Sequence, residues 1–123
     1  MSERTFVIAL SERGDVLWVR IVKERGVVVD YALRYETVIN GEVVQVVPCD
    51  GSHGRGHCHW VDSDGKRAQR LWAREGLDLG DALTEQIEDL AANWQRYRDD
   101  SVSERSLPKK RGKQRRRGNR GRR

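Results

Sequence analysis

From Val27 to Ile39 the chain alternates residue by residue. Val27, Val29, Tyr31, Leu33, Tyr35, Thr37 and Ile39 form one set, and Val28, Asp30, Ala32, Arg34, Glu36 and Val38 form the other. Successive side chains on a strand point to opposite faces, so the first set makes an apolar and aromatic face broken only by Thr37. Asn40-Gly41 follows, a pair that favours a two-residue hairpin turn because both positions need positive φ. The return strand is read from Glu42 to Val47. A two-residue loop sets Ile39 opposite Glu42, Thr37 opposite Val44 and Tyr35 opposite Val46, which matches the two apolar faces.

The same reading gives strands at Thr5 to Leu10 and Asp15 to Lys23, joined by Ser11-Glu12-Arg13-Gly14. Val16 to Val22 is apolar on both faces except for Arg20, the pattern of a strand inside a sheet. His57 to Asp62 and Lys66 to Trp72 make a further hairpin about Asp64-Gly65. Beyond them the period changes. Leu79, Leu83, Ile87, Leu90, Trp94 and Tyr97 recur every three or four residues, with Asp78 as N-cap and Asp81 in the first turn. The expected architecture is α+β: an antiparallel meander of about six strands, with one C-terminal amphipathic helix packed on one face. The domain is expected over residues 1–100. Ser101 to Glu104 reads as a polar linker into a disordered tail over 101–123.

Charge divides the chain at the same place. Of 24 Lys and Arg, eleven lie between Arg105 and Arg123, where no Asp or Glu occurs. Residues 1–104 hold the other thirteen against all 19 acidic side chains, a net of −6 beneath an overall +5. The tail is the polyanion-binding feature: Lys109, Lys110, Arg111, Lys113, Arg115, Arg116, Arg117, Arg120, Arg122 and Arg123, spaced by glycines, resemble RNA-binding arms. Arginine pairs with phosphate and stacks on bases, and counterion release supplies affinity without sequence reading. RNA is the expected partner, ahead of DNA.

Several classes lose their sequence support. No stretch approaches the roughly 18–20 apolar residues of a membrane span. The first residues carry no signal-like segment, so a cytoplasmic protein with no membrane partner is expected, and in a reducing compartment Cys49 and Cys58 should be free thiols. No phosphate-binding glycine loop, dinucleotide fingerprint or nucleophile elbow is present.

The densest chemistry lies in Cys49-Asp50-Gly51-Ser52-His53-Gly54-Arg55-Gly56-His57-Cys58-His59, which holds every histidine and cysteine of the chain. His57 and His59 share a strand face, and Cys58 and Trp60 take the other. Counting back from the Asp64-Gly65 turn sets His59 opposite Arg70 and His57 opposite Trp72, with His53 and Arg55 in the loop above. Two imidazoles and a guanidinium are the equipment of metal-independent RNA cleavage. One histidine accepts the 2′-hydroxyl proton, the other protonates the leaving oxygen, and Arg70 stabilises the phosphorane charge. Arg55 is read as a phosphate contact. No metal or cofactor is expected. Two alternatives stand beside this reading: a zinc site of His53, His57 and His59 with Cys49 or Asp50, and a structural loop serving a non-catalytic nucleic-acid or ribonucleoprotein adaptor. Tyr31, Tyr35, Trp94 and Tyr97 are read as core. Trp72 is the best candidate for stacking on a base.

Tyr31-x-x-x-Tyr35, the Asn40-Gly41 hairpin and the loop into His57-x-His59 resemble the TumE-like toxins of prokaryotic toxin–antitoxin systems, over roughly residues 27–98. The resemblance implies a small α+β protein acting inside the cell and held by an antitoxin partner. It carries over to His57 and His59 alone.

Overall fold

The computed structural model describes residues 1–51, 54–62, 64–74 and 76–106, with the backbone alone for 68–74 and 104–106. Six strands run in chain order: β1 (Ser2–Ala9), β2 (Val16–Glu24), β3 (Val27–Ile39), β4 (Glu42–Asp50), β5 (Gly56–Val61) and β6 (Arg67–Arg74). They form a single antiparallel sheet in that same order. One helix, α1 (Leu79–Ser106), follows and packs across β3, β4 and β5. The expected α+β meander with its C-terminal helix is the observed one.

The β3–β4 turn forms as its residues dictate, with Asn40 at φ +53° and Gly41 at +82°. Ile39 pairs with Glu42 and Thr37 with Val44. Past Glu36 a β-bulge intervenes, so Tyr35 meets Val47 where the uninterrupted count predicts Val46. The alternating set of β3 turns inward: Tyr31, Leu33, Tyr35 and Thr37 are all at most 2% exposed. With Leu17 and Val19 of β2 and Val46, Val47 and Cys49 of β4, they form the floor of the core.

Helix α1 closes that floor. Asp78 caps it, its Oδ1 accepting the Asp81 N–H at 2.8 Å. Leu79, Leu83 and Leu90 are buried, and Ile87, Trp94 and Tyr97 pack against the same cluster, so the predicted stripe is the packed face. Each fully buried aliphatic side chain contributes about 1.5–3 kcal/mol. The helix also runs through the expected polar linker to Ser106, with Ser101 only 2% exposed. The hydroxyl of Ser101 is small enough to pack where the apolar stripe has ended, which hydropathy alone does not register. Residues from Leu107 onward, including the basic tail, lie outside the described residues. Among the described residues, no helix is long and apolar enough to cross a membrane.

Candidate functional site

The β5–β6 hairpin carries the histidines. Asp62 N–H donates to the Lys66 carbonyl at 2.8 Å and Gly65, at φ +81°, donates to the Asp62 carbonyl at 2.9 Å. The connection therefore holds three residues between Asp62 and Lys66, where the sequence reading places a two-residue loop. Two irregularities then shift the register, after Trp60 and between Cys58 and His59. As predicted, His59 stands opposite Arg70. His57 stands opposite Ala73, and Trp72 opposite Cys58, which corrects the expected His57–Trp72 pair. The side chains of Arg70 and Trp72 lie outside the described residues, as does His53.

The free-thiol expectation is overturned. Cys49 and Cys58 are directly opposite across β4 and β5, with Cα atoms 4.0 Å apart, and they form a disulfide. Both are buried in the core on the helix side. Compartment reasoning from cysteine number missed a geometric fact: the nine-residue separation folds back so that the two Cβ atoms meet. Neither sulfur is then a thiolate, and the zinc alternative loses Cys49. Among the described residues, no three or more His, Cys, Asp or Glu side chains are grouped to hold a metal.

Because Cys49 and Cys58 point to the helix, their neighbours Asp50 and His57 point to the helix-free face. They too are ladder partners. His57 Nε2 lies 3.1 Å from Asp50 Oδ1, and His57 Nδ1 lies 3.3 Å from the Arg55 carbonyl. Both partners are acceptors, so a neutral ring donates to one and an imidazolium to both. The His57 side chain is 12% exposed. His59 is half-buried and meets the His57 ring edge to face, with centroids 5.2 Å apart. Arg67 reaches toward the other oxygen of Asp50 at 3.8 Å. The two histidines are thus together, as predicted, but His57 is clamped between a carboxylate and a carbonyl.

Beneath the loop, Gly56 passes close under the helix. A Cβ there would meet the Tyr31 hydroxyl, Ala82 Cβ at 2.8 Å and Gln86 Nε2 at 3.0 Å. The Tyr31 hydroxyl donates to Gln86 Oε1 at 2.8 Å, while among the described residues the buried Gln86 Nε2 has no hydrogen-bond partner. Burial, and then the nearby charge of Asp50, push the Tyr31 phenol well above its ordinary range.

The sequence reading missed a second polar centre. Asp15, 2% exposed, lies just before β2 and accepts from three hydroxyls: Ser11 at 2.5 Å, Thr37 at 2.6 Å and Tyr35 at 2.7 Å. Arg98 of α1 donates from Nε to Thr37 Oγ1 at 3.2 Å and stands 3.7 Å from Asp15. Burial raises the Asp15 pKa, but these hydrogen bonds and the Arg98 charge outweigh it and hold the carboxyl below its ordinary 3.8. Tyr35, buried and donating to that carboxylate, is held as the neutral phenol well above its usual range. A polar cleft of about 650 Å³ opens beside this centre, walled by Trp94 and Arg98 and by the Ser11–Arg13 turn. The only sequence signal was a lone acid between a turn glycine and an apolar strand.

A family model described as a domain of unknown function, DUF7718, matches residues 1–106. That span takes in all six strands and the whole of α1 and ends before Lys109. No curated protein and no solved structure matches the chain.

Proposed function

The chain belongs to the DUF7718 family, a domain of unknown function, so we propose its role from its own residues: it is an RNA-binding protein whose basic arm supplies most of the affinity. One observation carries this reading. Eleven Lys and Arg without a single acidic residue, from Arg105 to Arg123, follow a body of net charge −6. An acidic body repels phosphate at long range, so attraction to a polyanion falls to the arm. The histidine loop supports a non-catalytic part in this. His57 is held by Asp50 and the Arg55 carbonyl, and the loop is closed by the disulfide, which is how a structural element is built.

A second reading, chemistry on RNA phosphates by His57, His59 and Arg70 in the manner of the toxins this chain resembles, with an antitoxin partner, has one observation in its favour. A carboxylate that orients one imidazole beside another is a recurring acid–base arrangement. A single experiment separates the two. Binding of the full chain to a single-stranded oligoribonucleotide is measured from low to high salt, with the oligomer analysed for cleavage. If about six charges engage phosphates, log affinity falls against log salt with a slope near −4. Replacing the ten Lys and Arg after Ser106 by Gln abolishes the binding. Undiminished binding by that variant sinks the arm reading. Cleavage lost in both His57→Ala and His59→Ala, with the fold retained, establishes the second reading instead.

A further inference from the structure

We propose that the helix-free face of the sheet is a stacking platform for single-stranded RNA bases, centred on Trp18. The inference rests on the RNA-binding reading and gives the folded body a part in it. Leu17 and Val19 enter the core, so Trp18 between them faces away from the helix and is 37% exposed, unusual for a tryptophan within an internal strand. Its ring is fixed at two points. The indole N–H donates to Glu36 Oε1 at 2.9 Å, and the Arg34 guanidinium lies 5.4 Å from the ring centroid while paired with the same Glu36 at 2.6 Å. A ring held this way loses little entropy when a base stacks on it, and a guanidinium plane offers a second stacking surface.

Beside Trp18 the face is hollowed by small residues. Thr5, Arg20 and Ala32 are consecutive partners across β1, β2 and β3, and with Trp18 and Arg34 they line a groove of about 170 Å³. That row continues through Asp50 to His57. Three strand spacings, about 14 Å, separate Arg20 from His57. A strand crossing the sheet from Trp18 therefore ends at the histidine pair, and groove and loop form one surface.

The charges around the groove fix what it offers. Arg20 is paired with Glu3 at 3.0 Å and Asp30 at 3.4 Å, and Arg34 with Glu36, so the guanidiniums are already neutralised. Such a surface has little attraction for phosphate but presents flat π faces, and base stacking is tolerant of sequence. Arm and face then divide the work: the arm holds the backbone and the face holds bases.

The test uses the full chain and two oligomers of equal length and charge, oligouridylate and an abasic ribose-phosphate chain. An arm that reads phosphate alone binds both equally, and any preference from arginine stacking within the arm is untouched by changes at Trp18. With the platform, the native chain prefers oligouridylate by about tenfold, the scale of one stacked base. The preference persists as salt rises while both affinities fall. Trp18→Ala and Trp18→Leu, the latter keeping apolar bulk without a π face, remove the preference and leave abasic binding unchanged. Trp18→Phe retains part of it. Equal binding of both oligomers by the native chain, or a preference that survives Trp18→Leu, overturns the platform while leaving the arm reading intact. If neither oligomer binds, the RNA reading fails and the platform with it.

Discussion

Two centres, two to four residues apart along β3, secure the sheet by different chemistry. At Tyr35 and Thr37 the fastening is a buried carboxylate: Asp15 gathers the β1–β2 turn, β3 and, through Arg98, the C-terminal half of α1. At Leu33, the ladder partner of Cys49, it is covalent. Among the described residues, two ladder pairs join β4 to β5, Cys49–Cys58 and Asp50–His57, so that short ladder is reinforced by a disulfide and an ion pair. The β1, β2 and β3 ladders run for eight or nine pairs and need no such link. The difference teaches that fastening strength follows need: hydrogen bonds suffice where the ladder is long, and a covalent link appears where it is short. The first centre is open to attack by acid and the second by reductant.

Removing the carboxylate tests the stronger centre. Asp15→Ala strands the buried Tyr35 hydroxyl and leaves Arg98 without its counter-charge, and should lower unfolding free energy by about 3–5 kcal/mol in urea titration. The same carboxyl has its folded pKa below the ordinary 3.8. Its contribution is therefore fully present above that value and is lost as pH falls through the lower folded one, so Asp15→Asn should flatten the acid limb of stability. A variant as stable as the parent, with an unchanged acid limb, would dissolve the contrast between the two centres.

A smaller loss is expected at the covalent centre. Replacing Cys49 and Cys58 by Ser, or reducing the pair, releases a short loop and should cost about 2–3 kcal/mol. Amide exchange should rise over Gly56–Val61 and stay near native in β1 to β3. Uniform loosening of the whole sheet would show that the hairpin is not separately fastened. The ion pair matters least. Asp50→Asn should change the unfolding free energy by less than about 1 kcal/mol, because the pair is partly exposed and charged only when His57 is protonated. Its effect should be confined to the His57 and His59 ring resonances, and a larger loss would place the fastening in the ion pair.

What the sequence revealed, and what it hid, follows the range of the interactions. The β3 alternation, the Asn40-Gly41 turn, the α1 stripe and its Asp78 cap are local patterns, and the structure has them where the pattern puts them. The bulge at Tyr35 and those in β6 depend on how two strands fit, and they leave no mark in either strand alone. The shared face of His57 and His59 was legible from strand period. The Asp50 clamp required the β4–β5 register, which the intervening glycine loop concealed. Trp18 was absorbed into an apolar run because hydropathy does not say which face the helix covers.

The close pass of Gly56 beneath the helix has a consequence for how this fold can vary over time. Any side chain at position 56 collides with Tyr31, Ala82 and Gln86 at once, so the site is closed to single substitutions. Shortening Gln86 does not open it, because the Tyr31 hydroxyl then loses its acceptor Gln86 Oε1, and the clashes with that hydroxyl and with Ala82 Cβ remain. A lineage in which residue 56 gains a side chain must make room at Tyr31 and Ala82 as well as at Gln86, so these positions vary together or not at all. That shared constraint makes this corner of the domain slow to change in sequence.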